Sequence, residues 1–119
     1  MNNLMEKIKQ NFLLILVLLS GTVVWSLTMF KSGLMYHFGL GFWGPNGHDG
    51  IWHIALINSL VKGSWDIPVM SGELLKNYHI GFDLLVAILN KITFIPVNIL
   101  YFQLLPIIIA FLIGVLFIN

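Results

Sequence analysis

Phe12-Leu13-Leu14-Ile15-Leu16-Val17-Leu18-Leu19-Ser20-Gly21-Thr22-Val23-Val24-Trp25-Ser26-Leu27-Thr28-Met29-Phe30 contains no ionisable side chain and is closed by Lys31. A helix needs about 20 predominantly apolar residues to cross a hydrocarbon core, so residues 12–31 read as a transmembrane helix. A signal peptide is the rival reading, with Lys7 and Lys9 as its basic start. The run is longer than the roughly 7 to 15 residues of a typical signal core, however, and no small-x-small cleavage site follows it. It reads as an uncleaved anchor. Residues 1–11 form a short polar tail in which Lys7, Lys9 and the amino terminus outweigh Glu6, whereas acids balance the lysines beyond Lys31. The positive-inside rule then places the N-terminus in the cytoplasm and the following loop outside, as in a multi-pass protein of the plasma membrane.

Composition agrees with that setting. Hydrophobic residues make up 58% of the chain and charged ones 9%, far from the balance of a soluble domain. The net charge is +1, the six basic residues are all lysine, and they form no run. Nothing therefore points to nucleic acid, whose phosphates call for clustered cations. Without cysteine, disulfides and thiolate metal sites are excluded and the redox compartment is not legible.

Downstream, residues 32–78 read as a large external loop. Its first part, Gly33 to Gly47, mixes glycine with Tyr36, Phe38, Phe42, Trp43 and Pro45, which suits an irregular segment at headgroup depth. Residues 49–62 read as a helix, with Asp49 as candidate N-cap and Gly63 at the left-handed C-cap position. Ser64 to Tyr78 shows no sustained period and reads as loop with at most one short turn. Residues 79–95 are apolar at helical spacing but carry Asp83 and Lys91, and they predict an interfacial helix. Val97 to Ile118 is long enough to cross, with Gln103 inside it and a bend expected at Pro106. The expected fold is an all-α integral membrane protein: two transmembrane helices joined by an external loop with juxtamembrane helices.

Ionisable groups concentrate in Gly47-His48-Asp49-Gly50-Ile51-Trp52-His53. Asp49 and His53 stand four apart, so on a helix they share a face and can share a proton, an ion or a substrate. Two readings stay open for them. In one, Asp49 only caps the helix and His53 snorkels at a lipid boundary. In the other, Asp49 is catalytic, and His53, His79 and Trp52 contact substrate with Lys76 as the nearest fixed positive charge. A divalent metal held by His48, Asp49, His53 and His79 is a further possibility, although no HxH or HExxH spacing enforces it. Asp83, one turn past His79, reads either as its orienting partner or as a polar-face residue. Trp43, Trp52 and Trp65 read as interfacial anchors or as sugar-stacking rings.

The order of these elements resembles the N-terminal part of the GT-C superfamily of polytopic glycosyltransferases, which includes protein mannosyltransferases and lipid A aminoarabinose transferases. The resemblance covers nearly the whole chain. It rests on the first span, on Asp49 opening the external loop, and on the helix Ile54-Ala55-Leu56-Ile57-Asn58-Ser59-Leu60-Val61-Lys62-Gly63. Pro68 with Gly72, His79 and the second span complete it. The chain departs from the family pattern in having Ile80-Gly81 where two prolines are frequent, Gln103 in place of an arginine, and Gly50 after Asp49 in place of a second acid. The resemblance implies a bundle of which this chain is a truncated piece, completed by C-terminal helices of the same protein. It also implies a polyprenyl-phosphate-linked sugar as donor and Asp49 as base toward the acceptor or as part of a metal site. On this reading the fragment alone is inactive. The alternative is a non-enzymatic small membrane protein, or a transporter fragment with a His/Asp ion site.

Overall fold

The computed structural model describes residues 2–43 and 46–118, and within them the chain is mostly helical. Helix α1 spans Asn2–Phe30. The segment expected to be a polar tail is thus continuous with the apolar run, since Leu4, Met5, Glu6, Lys7 and Gln10 are good helix formers with no breaker among them. Helix α2 spans Asn46–Val61 and α3 spans Gly81–Thr93. A last helix, α4, runs without a break through Val97–Ile99, a π-helical turn at Leu100–Leu104, and Leu105–Ile118. Two stretches, Lys9–Phe30 and Val97–Phe117, are long and apolar enough to cross a membrane.

The expectation of an all-α chain needs correcting, because two small antiparallel hairpins interrupt the loop. In the first, β1 (Met35–Tyr36) pairs with β2 (Gly39–Leu40); in the second, β3 (Asp66–Ile67) pairs with β4 (Met70–Leu74). Three of the four strands have two residues, too few to show a period of two. The second depends on the tight turn through Pro68 and Val69, with Gly72 at a φ of +88° on the strand whose register shifts. Gly44 and Pro45, read as part of the loop, lie outside the described residues.

The helix ends follow from local chemistry. At the end of α2, the N–H of Gly63 donates to the Leu60 carbonyl at 2.9 Å and that of Ser64 to Ser59 at 3.0 Å, with Gly63 at a φ of +82°. This is the left-handed closure expected of a glycine at that position. Helix α3 stops at Phe94, also left-handed, while the Asn90 side chain donates to the Ile95 carbonyl at 2.8 Å and Pro96 prevents continuation. In α4 the π turn lies directly before Pro106. The Leu105 N–H reaches back five residues to the Leu100 carbonyl, and the widened turn makes room for a proline ring that would otherwise press on the preceding turn.

Helix α1 packs antiparallel on α4, with Leu18 over Gly114. At the loop end of this pair the Gln103 side chain donates to the carbonyls of Phe30 at 3.1 Å and Ser32 at 2.7 Å, and Asn98 donates to Gly33 at 2.6 Å. These bonds satisfy carbonyls that the end of α1 leaves open. Helices α2 and α3 pack beside that end through Leu56, Ile57 and Leu60 against Val86, Ala87, Val97 and Leu100. Phe102, fully buried, is the plug between the layers. Its ring fills the space where a Cβ on Gly33 or Gly50 would stand, and it meets Phe42 and Tyr101 edge-on.

Candidate functional site

His53 lies one turn before Leu56 and Ile57 on α2, and Asp83 one turn before Val86 and Ala87 on α3. Both therefore continue the apolar seam between the helices and meet at its end. The His53 Nδ1 to Asp83 Oδ1 distance is 2.7 Å, Asp83 is 0% exposed and the His53 side chain 24%. A contact of that length is in the charge-assisted range. The second carboxyl oxygen, Oδ2, is buried with no hydrogen-bond partner among the described residues.

Aromatic rings enclose the imidazole. Tyr101, carried on the π turn, stacks on it with centroids 5.6 Å apart and planes 25° apart. Tyr78 is tilted against it at 6.2 Å, Trp52 meets Tyr78 edge-on at 6.0 Å, and Phe82 braces Tyr101. Through the contacts of His53 with Asp83, Tyr101 and Tyr78, α2, α3, α4 and the segment before α3 converge on one locus.

Burial raises the Asp83 carboxyl above the usual carboxylate range, an effect that the His53 hydrogen bond and charge partly offset. A carboxyl raised in the folded protein binds its proton more tightly there than in the unfolded chain. Stability therefore falls as pH climbs from about 4, the ordinary value, to the raised value, and this contribution is level beyond it. Thermal unfolding of the detergent-solubilised protein is expected to show that decline, and Asp83→Asn is expected to flatten it. Equal slopes for the two proteins would assign the decline to other groups.

The expected site residues are only partly brought together. Asp49 lies in the first turn of α2 but does not cap it, since the helix starts at Asn46 and the Asp49 carboxylate has no hydrogen bond among the described residues. It is exposed, one turn from His53, which pairs with Asp83 instead. His79, expected as a possible partner of Asp83, is exposed, as are His48 and Lys76; Trp52 is half-buried against Tyr78. Among the described residues no three His, Asp or Glu side chains are grouped to hold a metal ion, so His48, Asp49, His53 and His79 do not form the set considered for one. An apolar cavity of about 360 Å³ opens elsewhere, between α1 and α4, walled by Thr22, Trp25, Ala110 and Gly114 among others.

Sequence reasoning considered Asp83 as an orienting partner of His79 and not of His53, and it missed Tyr78 and Tyr101 as members of the cluster. A signal for Asp83 existed, because it stands three and four residues before Val86 and Ala87 on the stripe that packs inward. Comparison of the chain with protein-family models, with curated proteins and with solved structures finds no match.

Proposed function

We propose that this chain is the N-terminal part of a plasma-membrane glycosyltransferase of the GT-C type, moving a sugar from a polyprenyl-phosphate donor to an acceptor on the external face. The observation that supports it is the exposed Asp49 carboxylate, without a hydrogen bond among the described residues, one turn from an aromatic-walled imidazole beside two span-length helices. In the reaction the acceptor oxygen bonds to the anomeric carbon as the bond from that carbon to the phosphate oxygen breaks. The bonding pair leaves with the phosphate, and the acceptor proton passes to Asp49. Lys76 and His79, exposed on the segment leading to α3, are positioned in the chain to offset the leaving negative charge. Further helices of the same protein complete the cavity. Helix α3 lies along the interface, with Phe82, Leu85, Ile88 and Ile92 turned outward.

A second reading, an ion or proton path, draws on the buried Asp83 oxygen that has no hydrogen-bond partner among the described residues. One experiment separates the two. The full-length protein in nanodiscs is supplied with a panel of polyprenyl-phosphate sugars, and release of polyprenyl phosphate is followed together with glycosylated product. A cysteine at position 73 (Glu73→Cys) is expected to react with an impermeant reagent in intact cells. Proton or cation flux without any sugar transfer would replace the first reading by the second, and labelling only after permeabilisation would reverse the topology.

A further inference from the structure

We propose that Asp83 is the positioning residue that fixes His53 as its Nδ1–H tautomer, so that His53 Nε2 accepts a hydrogen bond from a hydroxyl of a polyhydroxylated ring seated against Tyr78 and Trp52. The class of ligand rests on the sugar-transfer reading; the tautomer stands on geometry alone. An ionised carboxylate can only accept, and Asp83 Oδ1 lies 2.7 Å from Nδ1, so in that state the hydrogen is on Nδ1. Asp83 is 0% exposed and belongs to the packed seam of α3, which holds the acceptor oxygen in place. Tyr101 stacked on the imidazole resists rotation of the ring. Nδ1 is thereby committed to the protein. Nε2, across the ring, has no hydrogen bond among the described residues, and about a quarter of the side chain is open.

The surroundings select the ligand. Tyr78, Trp52 and Tyr101 offer apolar ring surfaces around one acceptor nitrogen, and such a setting fits a molecule with apolar C–H faces and a hydroxyl rim. A second consequence concerns acid. If one proton is added to the His53–Asp83 pair, it settles either on the imidazole or on the carboxyl, which then donates to Nδ1. In both cases Nε2 carries hydrogen and turns from acceptor to donor. The groups facing the imidazole are Asp83 from α3, Tyr101 from α4 and Tyr78 from the preceding segment, with the exposed Asp49 one turn away on its own helix. Among these the shared proton of the pair is the one that inverts Nε2.

The test uses the full-length protein in nanodiscs, labelled with ¹⁵N-histidine, with the His53 signals assigned by their loss in His53→Gln. Long-range ¹H–¹⁵N correlation is expected to show Nδ1 protonated and Nε2 bare on the alkaline side, with Nε2 gaining hydrogen on acidification. Methyl glucoside, the probe, is expected to shift Nε2 saturably on the alkaline side. An Asn side chain can present either oxygen or NH₂ to Nδ1, so Asp83→Asn is expected to mix the tautomers and raise the half-saturation about tenfold, the loss of one hydrogen bond. His37→Gln, on the first hairpin, is expected to change neither. A bare Nδ1 with hydrogen on Nε2 in the parent protein on the alkaline side would overturn the proposal. So would an Nε2 signal indifferent to methyl glucoside, or a folded Asp83→Asn that binds it equally well. Should that variant not fold, the tautomer and titration of the parent protein decide by themselves. None of these readouts needs turnover, so failure of the sugar-transfer assay and failure here are separate results.

Discussion

On the proposed sugar-transfer reading, Asp49→Asn in the full-length protein is expected to lower turnover by about a hundredfold to ten-thousandfold, the range for loss of a general base, and to leave the folded state little changed. The stability half of this expectation follows from the local structure. Helix α2 begins three residues earlier, the Asp49 carboxylate makes no hydrogen bond among the described residues, and the side chain is exposed. What the folded state loses is the attraction of a negative charge for the first turn of a helix, about 0.3 to 1 kcal/mol. The amide keeps the shape and a carbonyl oxygen but accepts no proton at neutral pH. The decisive measurement is turnover of a polyprenyl-phosphate sugar by the purified variant, with amount and unfolding temperature matched to the parent. Retained turnover would remove Asp49 from the chemistry and return it to a surface role.

Phe102→Ala is expected to have the largest effect on stability, about 3 to 5 kcal/mol, by the lost burial of the ring and the cavity left behind. The ring is fully buried, and its neighbours come from separate parts of the chain: Gly33 after α1, Phe42 in the loop, Gly50 in α2 and Tyr101 in α4. Collapse around the gap is restricted, because two of those neighbours are glycines with no side chain to move inward. The complementary change, Gly50→Ala, puts a Cβ 2.6 Å from the ring and is expected to destabilise by overpacking rather than by a void. Denaturant titration of the detergent-solubilised proteins measures both. A loss below about 1 kcal/mol for Phe102→Ala would mean that the ring is not the plug its burial indicates. Since Gly50 adjoins Asp49 and Phe102 adjoins Tyr101, looseness here is also expected to broaden the NMR signals of His53.

The two span-length helices were legible because an uninterrupted apolar run of that length has few other uses, and the end of α2 was legible because Gly63 supplies the conformation its last turn requires. The hairpins were not. Three of the four strands have two residues and carry no alternation, and in the second hairpin the register shifts along β4, where Gly72 has a positive φ. Asp83 was misread for a different reason. A charge on a helix ordinarily marks the wet face, but α3 turns Phe82, Leu85, Ile88 and Ile92 outward and Asp83 inward. Where the outside can be lipid, polarity no longer tells outside from inside. The pairing with His53 then depends on how α2 and α3 dock across a separation of 30 residues, which no local pattern records.

The π turn at Leu100–Leu104 has a bearing on which length changes the chain tolerates. Such a turn spends one residue more than an α-helical one on the same rotation and so sets everything after it back by about 100° relative to regular winding. Deleting a single residue there therefore offers the helix a route back to regular winding, with Leu105 to Ile118 still facing the sides they face now. What changes is the content of the turn itself. The deletion shifts Tyr101 away from the imidazole or Gln103 away from the end of α1, according to which side of Phe102 is shortened. An insertion or deletion elsewhere in α4 has no such slack and rotates the lower span against α1, parting Leu18 from Gly114. Related chains that keep a straight α4 are expected to be one residue shorter in this turn and to seat a different side chain against His53.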